Sequence, residues 1–236
     1  MKIQSLKFEG LTFHYEGQEP LFEQVDFEFP MNETVWVKAS SGAGRSSLLQ
    51  IMAGLLAPQK GRYLINDENV AEMSFEEFLP YRLHIGYGFD FGGLLHNRTL
   101  IENVTLPLLY HKVCDANQAV ERAMKYFQAL RVEKFINQRP STVPGGVRKT
   151  TCLIRSLIVE PQMLLLDDPS VGLGQDQILK FFDCIQELRS RGKAQHVFIS
   201  SFDEQLMNCL PHNEIFIDSG TIYKDVSDGE KKVVSL

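Results

Sequence analysis

The stretch Ala39-Ser40-Ser41-Gly42-Ala43-Gly44-Arg45-Ser46-Ser47 decides the fold of this chain. The apolar run that ends at Ala39 is typical of a strand, and it leads directly into the glycines. Apolar residues then recur at helical spacing and predict a helix that begins at Ser46; these residues are Leu48, Leu49, Ile51, Met52 and Leu55. A strand, a glycine-rich loop and a helix therefore follow one another.

This stretch has the shape of the phosphate-binding P-loop, G-x-x-x-x-G-K-[ST]. In that motif backbone N–H groups hold the phosphates, the lysine reaches the β- and γ-phosphates, and the hydroxyl ligates Mg²⁺. Ala39 stands where the first glycine is expected, and Arg45 stands where the lysine is expected. Arg45 keeps the positive charge, but its planar guanidinium does not fit a lysine pocket unless the phosphates shift. The chain therefore has to be tested for nucleotide binding and for hydrolysis separately.

A second motif lies further along the chain, where the apolar run 163–166 ends in Asp167-Asp168-Pro169. An uninterrupted apolar run predicts a strand that is buried on both faces. The carboxylates that follow resemble a Walker B motif, in which the first aspartate holds Mg²⁺ and the next carboxylate positions the attacking water. Ser46 and Asp167 are thus the predicted metal ligands and Asp168 the catalytic carboxylate. Two solvated carboxylates at a strand end are the alternative interpretation.

The rest of the chain contains regions with different hydrophobic periodicity, which predict different secondary structure. Short β-like runs and turns fill the N-terminal part, a mostly helical region follows, and the stretch 214–224 predicts a hairpin. Asp115 is a predicted helix N-cap, with Gln118 three residues on. We expect one α/β domain over 1–236: a P-loop NTPase core with a β-rich N-terminal subdomain and a helical subdomain at roughly 73–160.

Composition narrows the possible functions. Hydrophobic residues make up 44% of the 236 residues, enough for a sizeable core. The net charge of −6 argues against nucleic acid or an anionic membrane surface as the main partner. No apolar run reaches the length of a membrane span, and the first residues lack the apolar core of a signal peptide. A cytoplasmic protein is the expectation.

The order of these motifs resembles that of the ATP-binding subunits of ABC transporters, over nearly the whole chain. Tyr15, the run 85–90 and the run 143–148 add further landmarks to the resemblance. It implies two such subunits, in a homodimer or a heterodimer, with ATP and Mg²⁺ between them. It also implies an integral-membrane permease on a separate chain, and a position on the inner face of the cell membrane. The subgroup that handles lipids or lipoproteins is a neighbour.

The resemblance also implies which residues contact the nucleotide. An aromatic side chain at Tyr15 would stack on adenine, although a plain packing role is the alternative. The double glycine would belong to the signature loop, although a simple helix start is the alternative. The implied contacts are Tyr15, Ala39, Ser40, Ser41, Gly42, Ala43, Gly44, Arg45, Ser46, Ser47, Asp90, Gly145 and Gly146.

The chain departs from the family pattern at functional landmarks. Asp168 replaces the catalytic glutamate, and misplacing such a base by about 1 Å costs on the order of 10²-fold in rate. Ser201, at the position of the switch histidine, cannot carry the charge of an imidazole. Pro144 lacks the backbone N–H of the signature serine. The full set of departures is Ala39, Arg45, Asp90, Pro144, Val147, Asp168, Gly174 and Ser201.

The function expected from these residues is an ATP-binding subunit of an ABC transporter complex with weak or absent hydrolysis. One alternative is a non-catalytic structural or regulatory subunit that docks a membrane permease without binding nucleotide. Another is a true ATPase with unusual residues. A P-loop kinase fits less well, because nothing resembles a phosphate-acceptor site.

Overall fold

Two β-sheets and a set of helices make up residues 2–90 and 93–224, which the computed structural model describes. The strands are β1 (Leu6–Phe13), β2 (Phe22–Glu28), β3 (Thr34–Ala39), β4 (Lys60–Ile65), β5 (Glu68–Asn69), β6 (Ile85–Gly88), β7 (Met163–Asp167), β8 (His196–Ser200), β9 (Asn213–Asp218) and β10 (Thr221–Lys224). The α-helices are α1 (Arg45–Met52), α2 (Phe75–Arg82), α3 (Leu100–Tyr110), α4 (Ala116–Ala129), α5 (Gly145–Leu157), α6 (Gln175–Ser190) and α7 (Glu204–Met207).

The larger sheet has the strand order β10-β9-β3-β8-β7-β6. Strands β9, β3, β8, β7 and β6 run parallel, and β10 closes the predicted C-terminal hairpin by pairing antiparallel with β9. Because parallel strands end at the same edge, the loops after β3, β6, β7 and β8 meet there. This edge brings the predicted phosphate loop and the predicted metal-binding carboxylate together.

Strand β7 is buried along its whole length, as its apolar run predicts. Its side chains alternate between two hydrophobic cores. Leu164 and Leu166 face a core shared with α3, α4, α5 and α6. Met163 and Leu165 face a second core, shared with α1 and the N-terminal sheet. The parallel sheet is thus the middle layer of the molecule.

The smaller sheet is antiparallel, with the order β2-β1-β4-β5, and it confirms the predicted β-rich N-terminal subdomain. Its first strand, β1, has an irregularity in its pairing with β2 after Phe8. Gly10, at φ +55°, lies at this irregularity and makes a close approach to β4. A Cβ atom on Gly61 would stand 2.3 Å from the Gly10 carbonyl oxygen. Gly10 therefore marks a bulge within β1.

Helices α3, α4 and α5 pack on one another and form a helical layer. The Asp115 side chain caps α4 in a capping box with Gln118, as predicted. The predicted helical region 73–160 also contains β6, which belongs to the parallel sheet. Gly86 allows this, because a Cβ atom there would stand 2.2 Å from the Ser156 carbonyl oxygen on α5. None of the helices in the described ranges is both long enough and apolar enough to span a bilayer.

Candidate functional site

The loop between β3 and α1 has the backbone of an anion-binding site. Gly42 and Gly44 take φ angles of +81° and +99°, which favour glycine. Helix α1 begins at Arg45 with no side chain capping its N–H groups, so these groups are available to an anion. Ala39 needs no such freedom, because it is the last residue of β3 and pairs with Ile217. Replacing the first glycine of the motif by alanine therefore leaves the loop intact.

Three hydroxyl and carboxylate side chains meet where α1 faces the ends of β7 and β8. The Ser46 hydroxyl donates to Asp167 Oδ1 over 3.0 Å, and the Ser200 hydroxyl donates to the same oxygen over 2.6 Å. The register of the sheet explains the second bond, because Asp167 and Ser200 are paired neighbours on β7 and β8. The sequence motifs include Ser46 and Asp167 but not Ser200, which ends a strand outside any motif.

Ser46 and Asp167 fit a magnesium ion. Both offer oxygen donors, which Mg²⁺ prefers, and Mg²⁺ usually keeps several waters and takes further ligands from phosphates. Asp167 is buried, and the hydrogen bonds from Ser46 and Ser200 both go to Oδ1 rather than to its second carboxylate oxygen. Among the described residues no group of three histidine, cysteine or acidic side chains forms a metal site. A metal here would therefore depend on phosphate and water for its remaining ligands.

The Arg45 side chain does not extend freely over the loop. Its Nη2 lies 3.4 Å from Asp168 Oδ2, and its Cζ lies 3.4 Å from the centroid of the Phe202 ring. The side chain is only 8% exposed. Nη1 is buried and has no hydrogen-bond partner within 2–90 and 93–224. The cation of the loop is thus held on the carboxylate and the ring, with one donor left unused.

The neighbours of Asp168 shift the pKa of its carboxyl group in opposite directions. Its backbone has φ +40°, uncommon for a residue other than glycine, and its N–H donates to the Ser200 carbonyl. Burial raises the pKa of its carboxyl group above the usual value, the nearby Arg45 guanidinium lowers this pKa, and Asp167 and Asp90 raise it again. The carboxylate predicted to position water is therefore engaged with Arg45.

Lys149 is a buried cation at the edge of the site that sequence analysis missed. Its ammonium donates to the carbonyl oxygens of Phe89 and Asp90 over 2.9 Å and to that of Asp167 over 3.2 Å. Its Nζ also lies 3.5 Å from the Asp90 carboxylate, so this carboxylate faces the ammonium. Burial lowers the pKa of Lys149. The signal in the sequence is its spacing, because Lys149 falls three residues after Gly146 and four before Leu153, on the buried face of α5.

The sequence model of the ABC transporter family matches residues 22–171. The chain belongs to this family. It is 30% identical over 218 residues to the lipoprotein-releasing system ATP-binding protein LolD of Bacteroides fragilis, covering 92% of this chain and 100% of LolD. It is 26% identical over 216 residues to the cell division ATP-binding protein FtsE of Haemophilus influenzae, covering 91% of this chain and 98% of FtsE.

Solved structures of the ABC transporter family share the fold. The dimeric structure of a bacterial ABC transporter cassette matches with a TM-score of 0.83 and 23% identity, covering 98% of this chain and 100% of the other. A dimeric cassette in a post-hydrolysis state, bound to ADP and Pi, matches with a TM-score of 0.82 and 22% identity, covering 98% and 100%. The predicted ABC ATPase-like α/β fold is confirmed.

Two further predicted nucleotide contacts, Tyr15 and the double glycine Gly145-Gly146, lie in separate parts of the structure. The Tyr15 hydroxyl lies 3.1 Å from the Ser47 hydroxyl on α1, and its ring packs edge-on against Phe13. Tyr15 is therefore beside the phosphate loop. Gly145 and Gly146 form the first turn of α5, where a Cβ atom on Gly146 would stand 3.0 Å from the Gly172 carbonyl oxygen. The nearest neighbour of a Cβ atom on Gly146 is thus on the loop after β7 and not on the phosphate loop.

The loop after β8 presents Phe202, rather than Ser201, to the phosphate loop. Ser201 is buried, and its hydroxyl accepts a hydrogen bond from the Asp203 N–H. Its carbonyl oxygen accepts a bond from the Trp36 indole. The side chain that lies against Arg45 is thus Phe202, and the role predicted for Ser201 stays a prediction. The sequence signal is Asp203, which caps α7 by accepting from the Leu206 N–H and so fixes where the loop ends.

Proposed function

We propose that this chain is the ATP-binding subunit of an ABC transporter complex, with ATP binding retained and hydrolysis weak or absent. The uncapped α1 N-terminus, the glycine backbone and the Arg45 charge support phosphate binding. Ser46 and Asp167 would hold Mg²⁺, which would neutralise phosphate charge. Tyr15, whose hydroxyl lies 3.1 Å from the Ser47 hydroxyl, would contact the base.

The pairing of Arg45 with Asp168 is the observation that carries weak hydrolysis. A carboxylate acts as a base or positions water only if its oxygen is available within hydrogen-bond reach of that water. Here Asp168 Oδ2 faces the guanidinium, and the ring beside it is a phenyl group that cannot exchange a proton. Positioning and electrostatics supply nearly all the acceleration of phosphoryl transfer. Losing both the positioning carboxylate and a protonatable neighbour therefore leaves little catalysis.

The relatives support the proposed assembly. Two of them are named ATP-binding proteins of a lipoprotein-releasing system and of cell division, and the matching solved cassettes are dimers. We propose a second ABC ATPase subunit, in a homodimer or heterodimer, and an integral-membrane permease as partners. The chain would lie in the cytoplasm on the inner face of the membrane, and a lipid-linked cargo would suit the first relative.

Binding and turnover have to be measured on the same preparation. Calorimetric titration with Mg²⁺–ATP should show saturable binding, while phosphate release stays near background. The double variant Arg45→Lys with Asp168→Glu should then gain turnover by an order of magnitude or more, since a removed catalytic group typically costs about 10²–10⁴-fold. Unchanged, substantial turnover in both proteins would instead identify a true ATPase with unusual residues.

A non-catalytic docking subunit is the second candidate function, and the burial of Arg45 favours it. A guanidinium that already has a carboxylate and a ring as neighbours attracts phosphate less strongly than a free one. Titration separates the two functions: an absence of ATP binding, together with retained association with the permease, would replace the first proposal by the second.

A further inference from the structure

Asp168 and Phe202 form a cage around the Arg45 guanidinium, which keeps one unused donor. Its side chain is more than nine-tenths buried between Asp168 and Phe202. Its Nη1 is buried and has no acceptor among the described residues. A buried N–H group without an acceptor is costly. Nη1 is closed to solvent, so an anion reaches this donor only if neighbouring atoms move.

The cage lies on the side of the loop where the third phosphate of a nucleoside triphosphate is expected. The side chain at the Arg45 position of the motif normally reaches the β- and γ-phosphates. The residue that positions the nucleophile faces the γ-phosphate, and Asp168 occupies that position here. The guanidinium, held between the loop and Asp168, therefore stands where the third phosphate is expected.

We propose that Arg45, held by Phe202 and Asp168, makes this phosphate loop bind a nucleoside diphosphate in preference to a triphosphate. The proposal rests on the proposed function in one respect, namely that a nucleotide binds at this loop. Two phosphates can bind the N–H groups at the start of α1, which no side chain caps, while Arg45 stays on Asp168. A third phosphate has to separate Arg45 from Asp168, or lie against the Asp168 carboxylate.

Phe202 acts in this arrangement as a positioning residue. Its ring is 58% exposed, unusually high for a phenylalanine, and its face covers the Arg45 guanidinium. A guanidinium over an aromatic face is a favourable contact that survives partial exposure. Because so much of the ring faces solvent, removing it changes the freedom of Arg45 more than it changes the packing of the fold.

The test compares ADP with ATP on the purified full chain by isothermal titration calorimetry, with EDTA and again with Mg²⁺. Wild-type protein should bind ADP about fivefold or more tightly than ATP. Phe202→Ala should reduce this ADP-to-ATP preference about three- to tenfold, as expected for a lost cation–π contact. Asp168→Asn should reduce it in the same direction, because Arg45 loses its ion pair and the third phosphate no longer meets a carboxylate.

Phe216→Ala is the matched control. Its ring also lies beneath a cation, with Lys38 Nζ 5.4 Å from the ring centroid, but on β9 rather than at the loop after β8. The control should keep the wild-type preference. Equal affinity for ADP and ATP in wild type, or an unchanged preference in Phe202→Ala, overturns the diphosphate proposal while nucleotide binding stands. Parallel weakening of both nucleotides in Phe202→Ala also overturns it. No binding of either nucleotide overturns both this proposal and the proposed function.

Discussion

A single ammonium group at Lys149 joins the loop after β6 to the end of β7. Replacing it by methionine keeps the chain length and removes three hydrogen bonds to backbone carbonyl oxygens. Buried acceptors left without donors cost about 1–3 kcal/mol each, with partial relief from water. We expect Lys149→Met to lower the free energy of unfolding by about 2–3 kcal/mol in urea denaturation.

Lys125→Met is the control for this substitution. Lys125 also lies on a helix, but it is 70% exposed and pairs with Glu121 one turn away. Surface pairs of this kind contribute about 0.3–0.5 kcal/mol. Equal urea midpoints for the two variants would contradict the role assigned to the buried ammonium.

The carboxyl group of Asp168 provides a second prediction, for pH dependence. Burial raises its pKa in the folded chain, so the folded state binds this proton more readily than the unfolded state does. The ionised form therefore weakens the fold as pH rises from the usual aspartate range through the raised pKa. Relative to Asp168→Asn, wild-type protein should lose unfolding free energy across that window in urea titrations at several pH values. A relative gain would mean that the Arg45 ion pair outweighs burial.

The contact between β6 and α5 depends on the absence of a side chain at Gly86. A Cβ atom there would stand 2.2 Å from the backbone oxygen of Ser156, and neither backbone can yield easily. Overpacking of this kind costs typically 1–3 kcal/mol, and contact with a backbone atom belongs at the upper end. We expect Gly86→Ala to lower the unfolding free energy by about 3 kcal/mol.

Gly174→Ala tests whether this loss comes from the contact. Gly174 precedes α6 with φ −76°, and a Cβ atom there meets nothing within 4 Å. Because Gly174 is the N-cap of α6 and alanine caps a helix less well than glycine, the loss in thermal unfolding should be up to about 1 kcal/mol, well below that of Gly86→Ala. A similar loss in both variants would point to the flexibility of glycine instead of the packing of α5 on β6.

Elements that depend on neighbouring residues could be predicted from the sequence, whereas contacts between residues far apart in the chain could not. The strand–loop–helix unit, the buried β7 and the Asp115 cap all follow from periodicity and capping chemistry over a few residues. Lys149 reaches carbonyl oxygens about 60 residues earlier in the chain, and no local pattern encodes that contact. Whether Phe202 or Ser201 lies against Arg45 depends on where the turn after β8 ends. Element boundaries of this kind are the least certain part of a sequence prediction.

The start of α5 is the place where the proposed assembly of two chains can be tested; Pro144 is its N-cap, and no side chain caps the helix. Serine at this position would supply a capping hydroxyl, worth about 1 kcal/mol, and would restore a backbone N–H. If two subunits enclose nucleotide as proposed, the variant Pro144→Ser with Val147→Gln should form dimers more strongly than wild type in Mg²⁺–ATP. Sedimentation velocity measures this.

The nucleotide-free samples of both proteins provide the comparison for this experiment. They should sediment alike, because the restored groups act on a bound phosphate. A dimer that forms equally without nucleotide would separate the start of α5 from nucleotide-linked assembly and so contradict the prediction.

The alternation of side chains along β7 bears on how the molecule loses its structure. Leu164 and Leu166 belong to the core beneath the helical layer, and Met163 and Leu165 to the core beneath the N-terminal sheet. Opening either core exposes half of the strand to water and removes support from the other half. We therefore expect the two cores to lose their structure together, so that neither the helical layer nor the N-terminal sheet persists alone when the other has unfolded.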